Sequence, residues 1–367
     1  MYTWIRLHLN IIIKQELNAG KRFIVCPYGE CGMLLVDLLE KAYGISDVII
    51  LDNGLSQYNS AIHPISDLEK LDVKDRVLII TAISMKNSEE IEKQLSELNV
   101  DIKTRNILEP EICDSPEKES YFREIKKRMC CRKVKEKSLI RVGSVGGDGG
   151  YIMIDDFNDD MHAYSFGIGN DVSWDMDIAS KGIRVFMYDH TIVGLPLLHP
   201  KFRFYRLGVG EEQGCMPLKE LLEENNDLDN DNLILKMDIE GAEWDVINKI
   251  PTELLNNFRQ ISLELHDMCK SENKEIILKV LQKINVTHQI IWVHGNNAGK
   301  AEIANGVLIP NLIEVTYVRK NTYLFEDEDK CEFPTSLDLP NLINRRDFNL
   351  GNWGGDCLKT KADADMR

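Results

Sequence analysis

Residues 233–247, LILKMDIEGAEWDVI, decide how the second half of this chain folds. Leu233 to Met237 is a short run, apolar apart from Lys236, of the length of a buried strand, and it delivers Asp238, Glu240 and Glu243 into a turn eased by Gly241 and Ala242. The helix EGAEWDVINKI follows from Glu240. A strand that passes acids into a turn ahead of a helix is the repeating unit of a parallel α/β sheet, where ligands gather beyond the carboxyl ends of the strands.

On either side of this stretch the same alternation continues. HAYSFGI (162–168), RVFMYDH (184–190), FRFYRLGV (202–209), QISLELH (260–266), HQIIWVH (288–294) and IEVTYVR (313–319) read as further strands. DVSWDMDIASKG (171–182) and PLKELLEEN (217–225) read as helices between them. Nearer the N-terminus, KRFIVCPYG, ECGMLLVDLLEKAYG and DVIILDN form a βαβ unit, and RVLIITA precedes a helix that Ser84 or Asn87 can cap. We therefore expect an α/β protein of two Rossmann-like domains: a small one over residues 1–112, a helical linker over 113–137, a second α/β domain over 138–320, and an irregular tail over 321–367.

Composition fits that division. A chain of 367 residues is too long for one ordinary core, and 43% hydrophobic with 28% charged residues is a globular balance. The formal net charge of −16 repels a phosphate backbone, so nucleic acid is not an expected partner. The basic run REIKKRMCCRKVKEK (123–137) reads as a solvated helix face. Nine scattered cysteines without a CxxC pair read as reduced thiols. No secretory leader or transmembrane stretch is legible, which places the expected location in the cytoplasm.

The candidate chemistry lies at strand ends. HAYSFGI runs into Gly167-Ile168-Gly169-Asn170, a turn whose missing side chains let a ligand lie against the backbone, although such glycines also serve packing. Asp189 closes the next strand about 20 residues later, where a carboxylate can accept hydrogen bonds from two ribose hydroxyls. That geometry fits NAD and S-adenosylmethionine alike.

Lys236, Asp238, Glu240, Gly241 and Glu243 resemble the KxDxEGxE signature of the FkbM methyltransferases. The resemblance extends over about 138–320, through VGGDGGYIMID, YSFGIGNDVSWDMDIA, MYDHTI, SLELH and HGNN. It implies a doubly wound class I methyltransferase sheet, S-adenosylmethionine as donor, and O-methylation. It also implies that Gly167 and Gly169 line the donor site, that Asp189 holds the ribose, that Asp148, Gly149 and Gly150 lie near cofactor or substrate, and that Asp238 and Glu240 face the reaction centre. Methyl transfer is an in-line displacement that needs a positioned acceptor oxygen and a base. Glu264 and His266 project to one side of their strand end, which makes His266 the candidate base, with His294 nearby. The alternative use of Asp238, Glu264 and His266 is to hold Mg²⁺ against vicinal hydroxyls.

In the first domain, VCPYGECGMLL keeps Gly29 and Gly32 of a dinucleotide turn but has Pro27 at the first glycine position, and Asp52 closes the second strand. We expect this domain to assist binding or assembly. A nicotinamide-dependent sugar-nucleotide oxidoreductase or epimerase centred there is one competing reading, and a non-catalytic nucleotide-binding module is another. Family analogy points to a small-molecule or glycan acceptor, a sugar of a capsular or other surface polysaccharide or its nucleotide-linked precursor. Self-association into a homo-oligomer stays open.

Overall fold

In the computed structural model, residues 2–83, 85–107, 111–113, 115–326, 331–343, 345 and 347–353 are described. The chain divides into two compact units, Met1–Glu109 with Asn344–Arg346, and Pro110–Ile343 with Asp347–Arg367.

The first unit contains α1 (Tyr2–Asn18), β1 (Arg22–Cys26), α2 (Glu30–Tyr43), β2 (Val48–Ile50), β3 (Arg76–Ile80), α3 (Met85–Ser96) and β4 (Lys103–Asn106). Its strands form one parallel sheet in the order β2-β1-β3-β4. Every residue of β3 and the last four of β1 are buried, as central strands covered on both faces must be. One cluster packs Leu9, Ile12 and Leu35 against Phe23 and Val77; another packs Ile65 and Ile91 against Ile24 and Leu78. Asn87 lies inside α3, not at its cap, and Ser84, the other expected cap, lies outside the described residues, as does Cys357.

The second unit runs through β5 (Glu111–Cys113), α4 (Pro116–Arg128), β6 (Leu139–Gly143), β7 (Gly150–Ile154), β8 (His162–Phe166), α5 (Ser173–Ser180), β9 (Arg184–Tyr188) and β10 (Phe202–Tyr205). It continues with β11 (Gly208–Val209), β12 (Cys215–Met216), α6 (Leu218–Glu224), β13 (Leu233–Met237), α7 (Glu243–Lys249), α8 (Thr252–Leu255), β14 (Phe258–Leu265), α9 (Lys274–Thr287), β15 (His288–Gly295), β16 (Ala301–Ala304), β17 (Val307–Pro310) and β18 (Ile313–Arg319). The seven strands read from the sequence are the seven of its large sheet, ordered β10-β9-β8-β13-β14-β18-β15. β18 is antiparallel to both neighbours, because the β16–β17 hairpin, and not a crossover helix, brings the chain back from β15. The result is the doubly wound, Rossmann-like sheet that was expected, made mixed by the antiparallel β18.

The order reverses between β8 and β13, which both run parallel and pair directly. Two chains leaving adjacent strands in opposite directions open a crevice at their carboxyl ends. Cover for the sheet comes from α5 and the β6–β7 hairpin, and from α9 with α4, α7 and α8.

The segment expected as a linker belongs to this second core. Ser115 caps α4 by accepting from Lys118 N–H, and Tyr121, Phe122 and Ile125 on its inner side are buried in the main cluster. Where an irregular tail was expected after Lys320, the described residues include a short antiparallel pair, Glu332–Phe333 with Gly351–Asn352, and the segment is bound to the sheet: Trp292 Nε1 donates to Asp338 at 2.7 Å, and Trp353 is buried. No helix among the described residues is long and apolar enough to cross a membrane.

Candidate functional site

At the tip of β8 the two glycines play different parts. Gly167 has φ +75°, and a Cβ there would lie 1.6 Å from the carbonyl oxygen of Asp238, so the tips of β8 and β13 approach too closely for any side chain. Lys236 Nζ donates to Gly167 O at 2.7 Å and closes the same junction. Gly169 has φ +55° with nothing within 4 Å of an added Cβ, so its backbone faces open space.

Asp189 stands beneath this turn, 5% exposed. Its Oδ2 accepts from the N–H groups of Ile168 and Gly169, both at 2.9 Å, while Oδ1 accepts from Thr191 N–H at 2.7 Å and Thr191 Oγ1 at 2.6 Å. Burial raises the carboxyl's pKa, but the bonds from Gly169 and Thr191 outweigh it and hold the group below its ordinary value. All four lone-pair directions are taken. A ribose hydroxyl reaches this carboxylate only by displacing one of the four, so what the geometry assigns to Asp189 directly is the shape of the glycine turn.

Asp238, Glu264 and His266 come together at the tips of β13 and β14, each offering a ligand atom within 4.8 Å of the others. His266 is 8% exposed. Its backbone N–H donates to Glu243 Oε1 at 2.7 Å, its Nδ1 lies 3.1 Å from the same oxygen, and its Nε2 lies 3.5 Å from Glu240 Oε2. Burial lowers the imidazole pKa, yet the hydrogen bond and charge of Glu243, with Asp238 and Glu240, raise it overall. Glu240 has a left-handed φ of +57° and a side chain 91% exposed, at the rim of this cluster.

A second group lies beside the first and shares Glu264: Asp148, Glu264 and Glu314 also place ligand atoms within 4.8 Å of one another. Asn296 Nδ2 donates to Glu264 Oε1 at 2.6 Å and to Asp148 Oδ1 at 3.2 Å. Asn341, from the segment after β18, donates to Asp148 at 2.8 Å and to Glu314 at 2.5 Å. Burial, then the charges of Asp238, Glu314 and Asp148, push the Glu264 carboxyl well above the usual range, which favours its neutral form. His294 does not join His266. It is 1% exposed, with Nδ1 2.8 Å from Glu314 and Nε2 2.9 Å from Asp347, and although burial lowers its pKa those two carboxylates raise it to about 10.

Asp148 therefore sits with the acids and not on the glycine turn. Gly149, at φ +84°, brings its loop against Asp171, which follows that turn. Gly150 offers no open face, since an added Cβ would meet Arg141 Nη2 at 2.2 Å and Ser144 O at 2.6 Å.

Residues 158–289 match the family described as the methyltransferase FkbM domain. The second unit carries an FkbM methyltransferase domain. This FkbM match supports a methyltransferase activity and covers β8 through the start of β15, hence both glycines, Asp189, Asp238, Glu264 and His266. Among solved structures the chain is similar to a methyltransferase FkbM from Methylobacillus flagellatus KT, at 12% identity and a TM-score of 0.48, over 83% of this chain and 92% of that one. It is also similar to a fibrillarin/Nop5p complex, at 10% identity and a TM-score of 0.29, over 44% of this chain and 74% of that one. A comparison with curated proteins gives no match.

Sequence reasoning missed four contributors: Glu243 as the partner of His266, and Glu314, Asn296 and Asn341 around the second acid group. Glu314 had a signal, an acid set inside the apolar strand IEVTYVR. Asn341 had none.

In the first unit the dinucleotide-like turn is closed by protein. Asp52 Oδ1 accepts from Gly54 N–H and Leu55 N–H, both at 2.9 Å, and Oδ2 accepts from Tyr28 N–H at 3.0 Å. A Cβ on Gly32 would lie 2.3 Å from Pro27 O, so that glycine allows α2 to pack on the end of β1.

Proposed function

We propose that the chain is an S-adenosylmethionine-dependent O-methyltransferase whose acceptor is a sugar hydroxyl of a surface polysaccharide or of its nucleotide-linked precursor. The observation that carries the reading is the shared strand edge: an open glycine backbone at the tip of β8 lies one strand from the Asp238 tip of β13 and two from the His266 tip of β14.

Gly169, on a turn that Asp189 holds rigid from below, would hold the donor against its backbone. The donor would supply an electrophilic methyl group, and the protein's task is to present an oxygen in line and take its proton. His266 Nε2 takes that proton. Asp238 and Glu264 hydrogen-bond the acceptor's neighbouring hydroxyls, and the raised pKa of Glu264 favours its donating, neutral form. Sugar acceptors suit such a mixed set of donors and acceptors, and Asn296 and Asn341 extend it.

Asp238, Glu264 and His266 also have the spacing to hold a divalent cation such as Mg²⁺. Methyl transfer that is unchanged after chelation belongs to the His266 mechanism, and transfer restored only by Mg²⁺ belongs to the cation.

Mass spectrometry of nucleotide-linked sugars and glycan intermediates incubated with methyl-labelled S-adenosylmethionine tests the reading, with a gain of one labelled methyl in place of hydrogen as the expected result. His266→Ala is expected to lower turnover by about 10²- to 10⁴-fold and leave donor affinity within a factor of about two. Donor binding without transfer to any sugar would count against the acceptor class; absence of donor binding would overturn the reading as a whole.

A further inference from the structure

We propose that Glu243 is the positioning residue of this reaction, fixing His266 in the one tautomer that can take a proton from the acceptor; the inference rests on reading His266 as the base. Glu243 opens α7 and its side chain is fully buried. Its Oε2 accepts from Gly241 N–H at 2.9 Å, which ties it to the turn after β13. Its Oε1 accepts from His266 N–H at 2.7 Å and lies 3.1 Å from His266 Nδ1. The next residue, Trp244, donates from Nε1 to His266 O at 2.9 Å. Two consecutive helix residues thus hold the backbone of His266 on both its polar groups, and one of them also holds its ring.

An ionised carboxylate only accepts, so the Nδ1 facing it must carry the hydrogen. The lone pair of the neutral ring is then on Nε2, the nitrogen on the side of Glu240. A cap of the turn alone would need only the bonds to Gly241 N–H and His266 N–H. The third contact, to Nδ1, is the one with a chemical consequence. In Glu243→Leu a side chain of similar size offers Nδ1 no acceptor. The carboxylate of Glu240, 3.5 Å from Nε2, is then the acceptor left beside the ring, so the hydrogen moves to Nε2 and the base is removed. In Glu243→Asp the charge stays, one methylene further from the ring.

The test is nitrogen-15 NMR of histidine-labelled full-length chain at a pH where the ring is neutral, with the His266 signals assigned by their absence in His266→Ala. The expected spectrum shows hydrogen on Nδ1 in the parent chain, and its loss or transfer to Nε2 in Glu243→Leu. Hydrogen on Nε2 in the parent chain, or an unchanged tautomer in Glu243→Leu, overturns the proposal. Kinetics with methyl-labelled S-adenosylmethionine and a mixture of UDP-, GDP- and CDP-linked hexoses form the second arm. Glu243→Leu is expected to lower kcat by about 10²-fold or more, toward the roughly 10⁴-fold loss seen when a triad aspartate is neutralised, with donor KM unchanged and Glu243→Asp recovering part of the loss. Equal kcat in parent and Glu243→Leu overturns the proposal. A parent chain that transfers no methyl group counts against the reading of the site, while the tautomer still decides the role of Glu243.

Discussion

Replacing Gly167 and Gly169 separately with alanine distinguishes a packing glycine from a ligand-facing one. At Gly169 the new methyl enters open space, so the folding cost is that of a left-handed conformation, about 1–2 kcal/mol. In a unit spanning Pro110–Ile343 that corresponds to a fall in Tm of roughly 2–8 °C, taking about 2–4 °C per kcal/mol. At Gly167 the φ of +75° carries the same strain, and the methyl carbon would also sit 1.6 Å from Asp238 O, about half the normal C···O approach of roughly 3.3 Å. The tips of β8 and β13 must then separate, breaking the Lys236 bond to Gly167 O and depriving the buried Lys236 charge of that acceptor. The summed cost is about 4 kcal/mol or more, within the range that abolishes folding of a marginal domain. Thermal melting combined with calorimetric titration of S-adenosylmethionine reads both effects. Gly169→Ala is expected to fold and to bind the donor at least about tenfold more weakly, a loss of about 1.4 kcal/mol. Gly167→Ala is expected to lose the folded second unit. A well-folded Gly167→Ala, or a Gly169→Ala with undiminished donor affinity, would refute this division.

Asp189→Asn keeps the shape of the side chain but turns one oxygen into a donor. Its amide nitrogen fits best toward Thr191, whose hydroxyl can rotate to accept, so only the Thr191 N–H bond is lost; urea unfolding should register about 1–3 kcal/mol, and no change would mean the four bonds do not hold the turn. For His294 the folded pKa of about 10 lies above the ordinary 6.5. Its ion pairs with Glu314 and Asp347 therefore stabilise fully below about pH 6.5 and fade as pH rises through 10. The melting gap between the parent chain and His294→Gln should shrink across that window, and a gap that widens with pH would contradict the bracketed imidazolium.

Much of this architecture was legible because apolar runs of strand length, bounded by glycines and acids, report burial on both sheet faces without knowledge of partners. The seven strands of the large sheet are such runs. α4 reads in the sequence as a helical linker because its charged residues outnumber Tyr121, Phe122 and Ile125, and only packing reveals that these three enter the core. The site was legible where one strand tip carries its own chemistry, as Asp238 and His266 do. It was not legible where function depends on pairs far apart in sequence, such as Glu314 with Asn341 or His294 with Asp347. Asp189 illustrates a further limit: a carboxylate at a strand end after a glycine turn can serve a ribose or the turn itself, and the sequence pattern is the same for both. Only the four hydrogen bonds distinguish them.

A crystal structure of the full-length chain with bound S-adenosylhomocysteine bears most directly on this reading. The adenosyl group is expected against Gly169, with the sulfur directed at the space between Asp238 and His266. Density for the ligand at the Gly29–Gly32 turn of the first unit, or with its sulfur away from His266, would contradict it.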